Sequence, residues 1–283
     1  MNRLRWLRRS PRLVLVMAVA ALAVAGAVAF AAVPPPSPAI HTFTPHSEKQ
    51  ITNIDVLRQQ IRNYYGDPLG SGVFSKNSWY AKEARSVAQS GTRYLDKQLS
   101  KKHPKRAILL DVDDTTLATW NYEIFSNWAF NFTTNQQFVL DERFPAVPGM
   151  PKMVNWAASH GYAIFFLTGR GATQEEATLG NLTDSDDIGE NAGYPHPTTL
   201  SNGEDGLFTK PAVTDYPRYL KNACAGDPNG GTCTTTHYKT ATRKHIESLG
   251  YDIVANFGDQ FSDLVGGFAD RTFKLPNPNY FLP

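Results

Sequence analysis

Cysteine is nearly absent from this 283-residue chain, which carries only Cys224 and Cys233. Two isolated thiols argue against a structural zinc site, since such a site takes four ligands. No cysteine lies near the end of the N-terminal apolar run, which excludes a lipoprotein anchor. Internal repeats are absent as well. Acidic residues are missing from the first twelve positions, where Arg3, Arg5, Arg8, Arg9 and Arg12 supply five of the charges behind the formal +2. The rest of the chain therefore carries −3. The basicity belongs to the leader, and a slightly acidic remainder argues against a nucleic-acid-binding role.

What is present at the N-terminus is an uncharged apolar run over residues 13–33, followed by Pro34-Pro35-Pro36. A basic start, an apolar run and small residues around Ala29-Phe30-Ala31 suit a cleaved signal peptide over residues 1–33. At 21 residues the run is also long enough to span a bilayer as an uncleaved anchor. Its many alanines and Gly26 favour cleavage. Ser10-Pro11 after Arg8-Arg9 speak against a twin-arginine signal. In an exported chain an even cysteine count favours a disulfide, and Gly226-Asp227-Pro228-Asn229-Gly230-Gly231 is a turn able to bring Cys224 and Cys233 together. Residues 34–49 are rich in Pro and Ser and read as a disordered spacer. Residues 50–283 read as one domain.

Within that domain, Ile108-Leu109-Leu110-Asp111-Val112-Asp113-Asp114-Thr115-Thr116-Leu117 is the most informative stretch. An apolar run ends in three carboxylates within four positions. Residues i and i+2 of a strand share a side, so Asp111 and Asp113 are expected to project together. Two carboxylates about 4 Å apart repel by roughly 4 kcal/mol at an effective dielectric near 20, and a bound divalent cation would offset this. A solvated loop or helix cap is the plainer reading of the same residues.

Two further apolar runs end in polar residues: Ala163-Ile164-Phe165-Phe166-Leu167 at Thr168-Gly169-Arg170, and Ile253-Val254-Ala255-Asn256-Phe257 at Gly258-Asp259-Gln260-Phe261-Ser262-Asp263. A helical pattern opens between them with Tyr238-Lys239-Thr240-Ala241-Thr242-Arg243 and closes at Gly250. Strands that end in polar residues with helices between them describe a parallel α/β sheet with its site at the strand C-termini.

The rest is coarser. Ile51, Ile54, Leu57 and Ile61 follow a helical period that ends near Gly66-Asp67-Pro68. Ser78 can cap a second helix with Tyr80, Ala84, Val87, Ala88, Tyr94 and Leu95 as its buried stripe. The basic run Lys101-Lys102-His103-Pro104-Lys105-Arg106 reads as a solvated connection, and His103 is given no role. Residues 150–159 and 174–182 read as helices, and 184–193 as a polar loop. Residues 194–236 lack periodicity and are expected to pack irregularly around the rim of the site. The interval 120–148 carries Trp120, Tyr122, Phe125, Trp128, Phe130, Phe132 and Phe138, which form either a plain hydrophobic cluster or a cap over the site.

The four segments, in order, resemble the haloacid dehalogenase (HAD) superfamily of phosphohydrolases: Asp-x-Asp-x-Thr at Asp111, a Thr ending the second strand, a Lys, and Gly-Asp-x-x-x-Asp at Gly258. The stretch from Leu110 through Tyr122 and the tail Asn256-Phe257-Gly258-Asp259-Gln260-Phe261-Ser262-Asp263-Leu264 look like the secreted class B (subfamily IIIB) acid phosphatases. That group usually has Glu where Asp114 stands. The likeness covers roughly residues 51–283.

The resemblance implies an α/β, Rossmannoid parallel sheet with flanking helices and a small cap, residues 120–148, inserted after the first core strand. It implies an exported acid phosphatase that hydrolyses phosphate monoesters with Mg²⁺ through an aspartyl-phosphate. Asp111 would be the nucleophile, Asp113 the general acid and base, and Thr168 and Lys239 the groups that stabilise the phosphoryl oxygens. Gly169 and Arg170 would join Thr168 and Lys239 in holding substrate. Mg²⁺ would sit on Asp111, the Asp113 carbonyl and Asp259, with Asp114, Asp263 and Arg243 around them. The partner would be a small phosphate monoester, with no nucleic acid, and a membrane only through the N-terminal segment if it is uncleaved. A phosphotransferase to alcohol acceptors and a non-catalytic storage or binding protein are the alternatives on the same scaffold.

Overall fold

A computed structural model of the chain describes residues 44–183, 189 and 191–282. The signal peptide or anchor, most of the proposed spacer and most of the 184–193 loop lie outside the described residues. No helix among the described residues is long and apolar enough to cross a membrane.

Among the described residues five strands form one parallel sheet: β1 (Arg106–Leu110), β2 (Ala163–Gly171), β3 (Leu207–Lys210), β4 (Asp252–Gly258) and β5 (Thr272–Lys274), in the order β3-β2-β1-β4-β5. β1 is central because its residues 107–110 are apolar on both faces and wholly buried, as an all-parallel sheet requires. Its side chains alternate: Ile108 and Leu110 enter one core with Leu95, Met153 and Phe257, while Ala107 and Leu109 enter the other with Phe165, Tyr238 and Ile246.

Among the described residues ten helices accompany the sheet: α1 (Ile54–Tyr65), α2 (Trp79–Gln98), α3 (Trp120–Ser126), α4 (Phe132–Leu140), α5 (Met150–Ser159), α6 (Glu175–Thr183), α7 (Arg218–Ala223), α8 (Pro228–Gly231), α9 (Thr235–Ser248) and α10 (Phe261–Leu264). α2 and α5 pack together on the first core, and α7 and α9 on the second. Local chemistry sets their ends. The Ser78 hydroxyl accepts from Ala81 N–H to start α2, Thr234 does the same from His237 N–H for α9, and Gly66 ends α1 in the left-handed region.

The helical period through Ile54, Leu57 and Ile61 is α1, which ends at Gly66 as expected; Ile54 and Leu57 are exposed, and the helix buries Tyr65, stacked between Tyr80 and Trp120. A helical period alone does not say whether a partner surface covers it. The stretch 194–236 is not uniformly irregular, because it contains the edge strand β3 and helix α7. A four-residue strand is too short to leave a periodic signal. Lastly, β2 runs past its apolar core to Gly171, with its register broken between Leu167 and Gly171, so Thr168, Gly169 and Arg170 leave the ladder.

In the interval 120–148, Trp120, Tyr122 and Phe138 are buried, Trp128 is partly buried, and Phe125, Phe130 and Phe132 are exposed. Cys224 and Cys233 form a disulfide that packs in the second core beside Tyr216 and Leu220.

Candidate active site

Register assembles the site. Leu110 pairs with Phe166 on one side and Phe257 on the other. Asp111 follows Leu110 directly, and Thr168 and Asp259 come two residues after Phe166 and Phe257, so all three stand at the C-terminal edge of the three central strands. Asp111 N–H still bonds the Phe257 carbonyl at 3.0 Å, so the backbone holding this carboxylate is an extension of the sheet. Beyond it the chain turns sharply, and Asp114 takes φ +53°, a left-handed conformation that Asp tolerates better than most residues. Its carboxylate, wholly buried, accepts from Thr119 N–H at 3.0 Å and from the Thr119 hydroxyl at 2.6 Å, closing the turn.

The two aspartates before the turn have different cationic partners. Asp111 meets Lys239, whose ammonium donates to Asp111 Oδ1 at 2.5 Å and also to Asp263. Asp113 is taken by Arg170, whose Nη2 and Nε donate to its carboxylate at 2.7 and 3.2 Å. The third Arg170 nitrogen, Nη1, donates to the Thr178 hydroxyl at 3.0 Å, and the guanidinium lies over Phe144. Arg170 is thus engaged with protein on all three nitrogens. Thr168 is completely buried and its hydroxyl accepts from Arg170 N–H at 3.1 Å, whereas Gly169 is exposed.

Asp111, Asp259 and Asp263 each bring one carboxylate oxygen to within 4.8 Å of the others. Burial, with Asp263 beside it, pushes the Asp111 carboxyl well above the usual range, against the pull of Lys239. Burial, with Asp263 and Asp114, raises Asp259 to about 7. Burial also lifts Asp114 to about 7, although Thr119 opposes it. Burial disfavours the Lys239 ammonium, but Asp111 and Asp263 outweigh it and hold its pKa above the ordinary lysine value. Hard, buried oxygen donors that repel one another fit a hard divalent cation, whose charge would reverse the upward pull on the carboxyls.

Arg243 serves the loop after α10: its guanidinium donates to the carbonyls of Asp263 at 2.6 Å, Gly267 at 2.8 Å and Val265. Burial pushes it down to about 10, so it stays protonated at neutral pH. Asp263 also accepts from Gln260 N–H at 2.8 Å, capping α10.

Sequence reasoning missed the groups that hold Asp259. Thr115 donates to Oδ1 at 3.2 Å, and Gln260 and Asn277 donate to Oδ2 at 2.6 and 2.7 Å. Thr115 and Gln260 lie inside the recognised motifs but had no assigned role. Asn277 stands between two prolines in the C-terminal tail, where no pattern marks it.

Comparison with known proteins agrees with this geometry. The chain is 32% identical over 185 residues to the Stem 28 kDa glycoprotein of Glycine max, covering 64% of this chain and 61% of that protein. It is 29% identical over 183 residues to Acid phosphatase 1 of Solanum lycopersicum, covering 62% and 58%. The chain thus spans about three fifths of the length of these relatives. The class C acid phosphatase of Bacillus anthracis superposes with a TM-score of 0.55 at 19% identity, over 79% of this chain and 85% of that one, a likeness of fold. The family model for acid phosphatases of HAD subfamily IIIB matches residues 37–283, and with strand order, motif residues and match in agreement the chain belongs to subfamily IIIB of the HAD superfamily, the acid phosphatases.

Proposed function

We propose that this chain is an exported phosphatase that hydrolyses phosphate monoesters through an aspartyl-phosphate at Asp111. The observation that carries the reading is the contact between Asp111 and Lys239 inside a buried cluster of carboxylates at the strand ends. Two oppositely charged groups on adjacent elements fit the attack of a carboxylate on a phosphoryl group whose oxygens need a cation.

In this reading the Asp111 carboxylate attacks phosphorus and the bond to the leaving oxygen breaks. Asp113 gives that oxygen its proton, then takes one from the water that hydrolyses the aspartyl-phosphate. Arg170 holds Asp113 for both steps. Lys239 and the Thr168 hydroxyl stabilise charge on the phosphoryl oxygens. Asp111 and Asp259, with the Asp113 carbonyl, would hold Mg²⁺, and Asp263 borders the same cluster. When bound, Mg²⁺ supplies positive charge that draws phosphate in and offsets carboxylate repulsion. Asp113 as proton donor points to hydrolysis of alkyl as well as aryl esters, and the exposed Phe125, Phe130 and Phe132 remain candidates for contact with the leaving group.

The test is Asp111→Asn, which removes the attacking charge and keeps the shape. Phosphate release should fall by several orders of magnitude with the melting transition retained, and a chelator should silence the wild type. Near-normal turnover in the variant would refute the mechanism. Product analysis with added alcohols separates hydrolysis from phosphate transfer.

Export is proposed from the arginine-rich start, the apolar run and the disulfide, which belongs in an oxidising compartment. Mass spectrometry of the extracellular fraction should find an N-terminus between about residues 29 and 37. An intact Met1 on a membrane-bound form would make the segment an anchor.

A further inference from the structure

The C-terminal tail folds back onto the proposed cation site. Leu275 N–H bonds the Gly258 carbonyl at 2.8 Å, so the chain leaves β5 alongside the end of β4. Two residues later the Asn277 carboxamide reaches the carboxylates: Nδ2 donates to Asp259 Oδ2 at 2.7 Å and lies 3.4 Å from Asp114 Oδ2. Its Oδ1 accepts from Asn279 N–H at 2.8 Å, so the side chain is held at both ends. Asn279 extends the tether, donating to the Tyr65 hydroxyl at 2.9 Å and accepting from the Trp128 indole at 3.3 Å. Leu282 N–H reaches Gln260 Oε1 at 3.0 Å, and Gln260 is the other carboxamide on Asp259.

We propose that Asn277 is a positioning residue for the divalent-cation site, holding the Asp259 carboxylate in the orientation in which it meets Asp111 and Asp263. The inference rests on the reading of that cluster as a cation site. A carboxamide suits the task better than a cationic side chain: its NH₂ group can serve two carboxylates at once, Asp259 and Asp114, and it brings no positive charge to compete with the cation. Outer partners of this kind typically contribute 10–100-fold to metal affinity.

The experiment is a calorimetric titration of the purified full chain with Mg²⁺ and with Mn²⁺, without substrate, comparing wild type with Asn277→Ala and Asn279→Ala. Asn277→Ala should raise the metal Kd by about 10–100-fold, while in a separate phosphate-release assay kcat at saturating metal returns to within about threefold of wild type. Asn279→Ala loosens the tail without touching Asp259 and should change the metal Kd by less than about threefold. Asn277→Ser, which keeps an acceptor for Asn279 N–H, takes the place of the alanine variant if that one does not fold. An Asn277 variant that melts normally and binds metal within about threefold of wild type overturns the proposal. So does an Asn279→Ala loss equal to that of Asn277→Ala, since the fold of the tail would then be the cause. If the wild type binds neither ion, the cation site itself fails and this inference falls with it. Wild-type binding with unchanged Asn277 variants removes the inference alone.

Discussion

Gly258 ends β4 immediately before Asp259, and its missing side chain makes room for Asp263. A Cβ built there would lie 2.4 Å from Asp263 Cβ and 2.7 Å from its Oδ2, closer than carbon atoms approach without displacement. Gly258→Ala must therefore push Asp263 away from Lys239 and from Gln260 N–H, the two contacts that fix it. Overpacking of this kind costs roughly 1–3 kcal/mol, or about 3–9 °C in melting temperature for a domain of this size. The larger consequence falls on the site, because a shift of about 1 Å in a positioned group can lower turnover about 100-fold. Gly91→Ala provides the control. Its Cβ would meet the Phe257 ring at 2.8 Å, a similar clash on the α2 face of β4. The substitution gains about 1 kcal/mol of helix propensity and leaves the carboxylates alone. Thermal melts and phosphate release on both variants decide the matter. Gly258→Ala should lose stability and at least tenfold in turnover, and Gly91→Ala stability alone. Full activity in Gly258→Ala, or equal losses in both, would refute the argument that the glycine exists to seat Asp263.

The Cys224–Cys233 bond joins residues nine apart in the second core, under the helix that carries Lys239. Replacing both with Ser should cost about 2–3 kcal/mol, read by urea denaturation, and thiol labelling of the unfolded, unreduced wild type should modify neither cysteine. Glu123 is buried, and burial raises its carboxyl from 4.5 to about 7. Because the folded value lies above the unfolded one, the folded state gains protons and stability is complete below pH 4.5, then declines as pH rises toward 7. Glu123→Gln should remove that decline, stabilising the protein at pH 8 by up to about 3 kcal/mol and having no effect at pH 4. A pH-independent effect in melting experiments would place the cause elsewhere.

Most of the sheet could be read without coordinates. β1, β2 and β4 each contain an apolar run because central parallel strands are buried on both faces, and each run gives way to polar residues toward the C-terminal edge of the sheet. Asp111, Thr168 and Asp259 were legible as candidates for the same reason, since strand ends mark where a site in such a sheet can stand, whereas Lys239, on α9, was marked only by its place in the four-part pattern. Three things required the tertiary structure. Local spacing placed Asp111 and Asp113 as a pair but did not say that Lys239 would meet the first and Arg170 the second. The short strands β3 and β5 lack a period of their own and exist because the edges of β2 and β4 offer them backbone partners. Asn277 reaches Asp259 only because the tail folds back across the strand ends, a contact between residues with no shared local pattern. Composition and periodicity describe what each segment buries, whereas the partner of a polar side chain depends on which distant segment the fold brings within 3 Å of it.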